Sequence, residues 1–462
     1  MPLGPLDGRY RKATAPLVDY LSEAALNRAR VFIEVEWFIH LCDQRALPGA
    51  KPLGTAEQDY LRGIVRTFGP DQIKELGDIE RETVHDVKAV EYFLRRRLEA
   101  PDAPQALRRH GLAELVHFGC TSEDINNLSY AVLIRGAVQH VWRPAAGALA
   151  DDIAKLARDN ADQPMLARTH GQPATPTTLG KEMGVFAHRL RRQLERIDRT
   201  EYLGKISGAT GTYGAHVAAV PGTDWPAVAR AFVQKLGLTW NPLTTQIESH
   251  DWQAELYADV ARFGRIAHNF ATDVWTYISL GYFAQVRGQG TVGSSTMPHK
   301  VNPIRFENAE ANFEISAALL DTLGQTLVTS RMQRDLTDST TQRNIGSAFG
   351  HSLLALDNLR RGLAGLDVAP AAMAQDLDHN WEVLAEPIQS AMRAAAVAGV
   401  PGMDNPYERL KELTRGHRIG AAELREFVAG LGLPAEMAAR LEAMTPATYV
   451  GLAGDLVRDY VK

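Results

Sequence analysis

The segment Arg287–Asn308, RGQGTVGSSTMPHKVNPIRFEN, gathers three glycines, two serines, a histidine, a lysine and two prolines just ahead of a helical pattern. Glycines beside rigid elements supply hinge freedom for closure over a substrate, and a lysine with loop amides can stabilise a developing anion. Gly288, Gly290 and Gly293 match G-x-G-x-x-G. A dinucleotide fingerprint, however, follows a strand and opens a helix within a βαβ unit, whereas a long predicted helix precedes this one. The segment reads as a flexible lid.

Four more polar islands could carry chemistry. Arg168–Lys181, RTHGQPATPTTLGK, places His170 beside an expected helix N-terminus, where unpaired N–H groups and the macrodipole favour an anion. Taken alone, His170 reads as a structural loop histidine. Thr83–Lys88, TVHDVK, sets His85 next to Asp86. A metal site would need further ligands, and no HExxH or clustered Cys/His set exists. Cys120–Asn127, CTSEDINN, places hydroxyls before acids. Ser122 with Ile125 is not a full capping box, but Thr121 with Glu123–Asp124 suits a helix start, and a cap does not exclude a phosphate contact. Arg331–Arg343, RMQRDLTDSTTQR, holds three arginines among hydroxyls. Arg334 and Arg343 could clamp a phosphate or carboxylate bidentately; as an isolated charge run, the segment reads as a solvated face.

Long helices must position these islands. Between His250 and Leu280, Leu256, Val260, Phe263, Ala267, Phe270, Val274 and Ile278 recur every three or four positions without proline, predicting a rod of about 46 Å at ~1.5 Å per residue. A second predicted helix starts at Thr175-Pro176, an N-cap and N1 pair, and runs through Leu179, Met183, Ala187, Leu190, Leu194 and Ile197. Asn126–Asn160, broken by Pro144, reads the same way, as do Pro303–Val328 and Thr341–Leu366. Strand patterns are short and rare. The expected fold is therefore all-α, with domains at 1–112, 113–364 (the long-helix bundle) and 365–462, where proline-punctuated shorter helices follow. Rods of this kind leave apolar faces for other subunits, so a homo-oligomer is expected.

Composition narrows the function classes. The 462 residues carry a formal charge of −5, which leaves no basic footprint for nucleic acid. No apolar run approaches the ~20 residues that span a bilayer. The start, MPLGPLDGRYRKA, lacks the apolar core of a secretory signal. Two cysteines, Cys42 and Cys120, are too few for a disulfide framework and read as small core residues in a reducing cytoplasm.

At Gly293–Pro303, GSSTMPHKVNP, the chain resembles the fumarase/aspartase superfamily. LDGRY, HDVKAVEYFL, CTSEDINNLSYAV, RTHGQPATPTTLGKEM, QRDLTDSTTQRN and LDHNWEVLAEPIQ resemble its adenylosuccinate lyase branch, in bacterial form, over nearly the whole length. That resemblance implies a tetramer built on a central helix bundle, active sites shared between subunits, and release of fumarate from succinyl-purine nucleotides without metal or redox cofactor. It implies His170 as general acid and Ser294 as base. Lys300, Val301 and Asn302, with Ser295 and Asn308, would hold the succinyl carboxylates. Thr121 and Ser122 would contact the succinyl end, with Gln246 nearby. Arg9, Tyr10, Val84, His85, Asp86, Arg334, Ser339, Thr340, Thr341, Gln342 and Arg343 would line the nucleotide and phosphate side, Val84 through its backbone. An unperturbed serine hydroxyl is a poor base, and by residue chemistry alone His299 or His170 would be preferred. Ser294 serves only if Lys300 and loop amides stabilise an alkoxide. Rival expectations are argininosuccinate lyase, a catalytically inactive structural member, and a metal-dependent hydrolase built on His85-Asp86.

Overall fold

The computed structural model describes residues 3–285, 297, 301–414 and 419–462. Ser294, Ser295, His299, Lys300 and most of the expected lid, 287–296 and 298–300, lie outside the described residues. The fold is all-α, and the strands among the described residues are two or three residues long.

The predicted long helices are present. Asp251–Ser279 and Ile304–Leu327 match their apolar periodicity within a few residues at either end, and Leu256, Val260, Phe263, Ala267, Phe270 and Val274 are all buried. The Asn126–Asn160 segment is helical from Ser122 to Asp159, with a π turn at Val138–Trp142 just before Pro144. Proline lacks the N–H that an i−4 bond needs, and the wider turn absorbs the loss without ending the helix.

Two helix starts differ from expectation. The helix expected from Thr175-Pro176 begins at Leu179, because Thr177–Thr178 first pairs antiparallel with Pro164–Met165. Thr178 is its capping hydroxyl, accepting the Lys181 N–H at 3.2 Å. The helix expected from Thr341 begins at Ile345, after a separate turn of helix at Thr337–Gln342.

The chain divides into two compact units. One comprises Met1–Ala146, Gln193–Arg265 and Ala311–Asp357; the other comprises Gly147–Arg192, Ile266–Glu310 and Asn358–Lys462. Within the first, Glu23–Asp43 packs on Ser122–Ala137, and Val35, Phe38, Ile64, Leu76, Val90 and Phe93 form a core. Each such side chain contributes roughly 1.5–3 kcal/mol on burial. Cys42 lies in that core, whereas Cys120 is only partly buried. In the second unit, Ile388, Met392, Met403, Leu424 and Val428 form a core among the short C-terminal helices. No described helix is long and apolar enough to cross a membrane.

Candidate active site

In the first unit, two helix N-termini meet. His85 caps the 86–98 helix, its Nδ1 accepting the Lys88 N–H at 3.2 Å. The neutral ring then carries its proton on Nε2, 3.5 Å from the Oγ of Ser122, the first residue of the 122–137 helix. Converging N–H groups make this an anion-ready corner. Asp86 is held by Arg30 at 2.7 Å and by the Val87 N–H at 2.9 Å, with Arg343 at 3.5 Å. Burial would raise the Asp86 pKa, but these partners keep it below the usual carboxylate range. Just before this corner, Val84 has φ 51° and an 88% exposed side chain. A β-branched residue in the left-handed region is strained; here Val84 is the C-cap of the Pro70–Thr83 helix, its N–H bonding the Glu80 carbonyl at 2.8 Å.

The 122–137 helix is anchored by a buried carboxylate. Thr121 is its N-cap, and Asp124 reaches back to the Thr121 N–H at 2.8 Å. The capping pair is therefore Thr121 and Asp124, one residue off the Ser122–Ile125 spacing. Asp124 also accepts from Lys205 Nζ at 2.8 Å, Ser207 N–H at 2.8 Å and Gly208 N–H at 3.1 Å. Both charges of the Asp124–Lys205 pair are fully buried, and four donors compensate the carboxylate's lost hydration. Gln246, from the later 241–250 segment, reaches the same turn, its Nε2 donating to the Ala209 carbonyl at 2.9 Å. Gly211 of that turn has φ 77°, and a Cβ there would stand 2.1 Å from the Thr244 carbonyl oxygen.

The expected arginine clamp consists of two unlike arginines. Arg334 is mostly buried and lies 2.6 Å from Glu123 and 3.8 Å from Asp338. Glu123 accepts from Asn126 at 2.7 Å, and Asn126 accepts from Arg30 at 2.9 Å. A continuous polar chain thus joins Asp86 to the 331–343 segment. Arg343 is 46% exposed and touches Glu23 and Asp86 only at 3.5 Å, leaving it freer to meet a ligand anion. A cavity of about 220 Å³ beside it is lined by Ser22, Asn27, Arg30, Asp86, Gln342 and Arg343, among others. In the 337–342 helix, the Ser339 N–H bonds Asp338, the Thr340 N–H bonds the Leu336 carbonyl, and the Thr341 hydroxyl bonds the Thr337 carbonyl. Gln342 is buried, its amide 3.4 Å from His250 Nε2, and His250 lies 3.5 Å from Asp338. Arg9 and Tyr10 precede the first short helix, Arg11–Thr14, with the Arg9 guanidinium 5.7 Å from the Tyr10 ring.

In the second unit, Arg168–Thr169 and Gln172–Pro173 form a hairpin with His170 and Gly171 as its two-residue loop. Their φ angles are 54° and 74°. Positive φ at both central residues defines a type I′ turn, normally made by Asn-Gly or Asp-Gly. His170 is thus an exposed, strained residue at a hairpin tip, and the helix expected beside it begins nine positions later. Val301 accepts from Gln285 Nε2 at 2.8 Å. Asn302 precedes the 304–327 helix, which carries Asn308.

The structure therefore groups His85, Asp86, Thr121, Ser122, Gln246, Arg334 and 339–343 in one unit, and His170, Val301, Asn302 and Asn308 in the other. Arg30, Glu123, Asn126, Lys205 and Asp338, which tie the first group together, were missed from sequence. A usable signal was present: Arg30 interrupts the apolar run ALNRARVFIEVEW, and a charge inside such a run needs a partner. Among the described residues, no three of His, Cys, Asp and Glu gather as a metal site.

A lyase family model matches residues 8–313, and an adenylosuccinate lyase C-terminal model matches residues 330–450. The adenylosuccinate lyase of Escherichia coli is 47% identical over 98% of this chain and 97% of its own. Those of Haemophilus influenzae and Legionella pneumophila are 46% and 43% identical, covering 98% and 99% of this chain and 97% and 98% of theirs. The fold is shared with a fumarate lyase from a Mesorhizobium species, at TM-score 0.75, 22% identity and 97% of each chain. It is shared too with a muconate lactonizing enzyme from Pseudomonas putida, at TM-score 0.70, 21% identity, and 96% and 97% of the two chains. The chain belongs to the adenylosuccinate lyase family of the fumarase/aspartase superfamily.

Proposed function

We propose that this chain is a carbon–nitrogen lyase that eliminates fumarate from adenylosuccinate, leaving AMP. The same reaction on succinyl-aminoimidazole-carboxamide ribotide leaves the carboxamide ribotide of purine biosynthesis. The observation that carries this reading is identity of 47% across nearly the full length of an adenylosuccinate lyase.

A base removes the proton on the carbon β to the substrate nitrogen, and the electron pair spreads into the adjacent carboxylate. The C–N bond then breaks, its electrons leave with the purine nitrogen, and an acid protonates that nitrogen. His170 takes the acid's part, since an imidazole holds and gives a proton near neutral pH, and an exposed hairpin tip can reach a substrate. Ser294 takes the base's part, with Lys300 compensating the developing charge. Ser295, Val301, Asn302 and Asn308 join Lys300 at the succinyl carboxylates, and Thr121, Ser122 and Gln246 meet the same end. Arg9, Tyr10, Val84, His85, Asp86, Arg334 and 339–343 receive the nucleotide. The convergent N-termini at His85 and Ser122 and the loosely paired Arg343 support an anionic ligand there.

The working form in this reading is a cytoplasmic homotetramer with shared sites and domains at 1–112, 113–364 and 365–462. Val84, Leu243, Met332 and Leu336 are exposed large apolar side chains of the sort that a subunit contact would cover. Incubation of purified protein with adenylosuccinate and, separately, argininosuccinate tests the substrate. Fumarate from the first alone is expected; fumarate from the second alone overturns the assignment.

A further inference from the structure

The hairpin that carries His170 has strands of only two residues, too short to fix its own direction, since an isolated two-stranded ribbon is marginal in water. Backbone pairing ties its foot, the Ala174 N–H bonding the Ala167 carbonyl at 2.9 Å, and side chains fix it further: the Thr175 hydroxyl donates to Glu386, and Arg168 reaches two partners at once. Arg168 Nη1 donates to the Tyr282 hydroxyl at 3.0 Å, and its Nη2 donates to Asp376. The Tyr282 hydroxyl in turn donates to the same Asp376 oxygen. Asp376 is steadied by Asn380, whose Nδ2 bonds its carbonyl at 2.7 Å. Burial, with the Asp376 carboxylate behind it, pushes the Tyr282 phenol up to about 12, so it remains a donor at working pH.

This node also holds a second strand. Tyr282 leads into Phe283–Gln285, which pairs antiparallel with Leu366–Val368, and the Tyr282 carbonyl accepts the Ala369 N–H at 2.9 Å. Asp376 sits on the helix Pro370–Asp378 that follows. Arg168, Tyr282 and Asp376 therefore fasten the His170 hairpin to the strand that ends at Gln285.

We propose that Arg168, Tyr282 and Asp376 are positioning residues for His170, setting where its ring stands relative to the leaving nitrogen. The inference rests on His170 being the general acid. None of the three touches substrate in this account. They act by removing the hairpin's freedom to swing, and a displacement of about 1 Å of a reacting group costs on the order of 10²-fold in rate. Charge on Asp376 matters because a charged acceptor binds both Arg168 and Tyr282 more strongly than a neutral one.

The test is a mutant cycle on kcat for fumarate release, using His170→Ala, Asp376→Asn, Tyr282→Phe and the double variant His170→Ala/Asp376→Asn, with folding checked by thermal melting. Asp376→Asn is expected to lower kcat about 10- to 100-fold with KM changed less than about threefold. Tyr282→Phe, which keeps the Arg168–Asp376 pair, is expected to lose less. In the His170→Ala background, Asp376→Asn should cost almost nothing further. An equal loss in both backgrounds, or wild-type kcat in folded Asp376→Asn, overturns the inference while leaving the acid assignment standing. Near wild-type kcat in His170→Ala overturns the acid assignment itself.

Discussion

The groups around His85 and those around His170 are held in opposite ways. In the first unit, burial and redundant charge do the holding: Asp124 takes four donors, and Arg30, Asn126, Glu123 and Arg334 form one chain of contacts. Removing one member strands another in a low-dielectric interior. In the second unit, one exposed histidine rides a two-residue turn, steadied at its foot by the Arg168 node and the Thr175–Glu386 bond. Removing that histidine strands nothing. Residues that shape the proposed binding surface are here part of the core's stability, whereas the proposed acid is energetically detachable from the fold.

The largest expected effect sharpens the first half of that contrast. Asp124→Asn leaves Lys205 buried without its counter-charge and should cost about 3–5 kcal/mol, measured as a shift in urea midpoint. A loss under about 1 kcal/mol would mean that water or a neighbour replaces the carboxylate. The two arginines divide the contrast within one segment. Arg334→Ala unpairs Glu123 and should cost about 1–3 kcal/mol of stability as well as raising KM. Arg343→Ala should leave the melting temperature nearly unchanged, yet raise KM about tenfold or more through loss of a charge-assisted bond worth roughly 1.5–3 kcal/mol. Equal stability losses would erase the distinction.

A smaller effect concerns His117, whose Nδ1 lies 2.5 Å from buried Glu34. Burial would lower this histidine's pKa, but Glu34 outweighs it and the folded value is raised. The pair's contribution is then complete below the unfolded value of about 6.5 and is lost as pH rises through the raised folded value. The stability difference between wild type and His117→Gln should shrink as pH rises above about 6.5; a difference that grows would reverse the sign. Least of all, chelators should leave turnover unchanged, and a loss restored by added metal would revive the His85-Asp86 metal reading.

The rods at 251–279 and 304–327 were legible because one apolar stripe repeats along each without interruption. The start at Leu179 was not, because whether Thr177–Thr178 extends or coils depends on Pro164–Met165, a partner that periodicity does not reveal. His170 was legible as a residue but not as a place: only the fold shows that His-Gly fills a turn usually made by Asn-Gly. The Arg30–Asp86 and Arg334–Glu123 pairs join residues far apart in the chain, so the arginine run taken alone read as a solvated face. What the motifs supplied was the identity of the groups; what packing supplied was which of them are already engaged.

The most direct test is fumarate release from adenylosuccinate by His170→Ala, read together with its melting temperature. The account predicts a kcat at least about 100-fold below wild type with the melting temperature unchanged. Turnover within a few-fold of wild type, in a protein that melts normally, would contradict it.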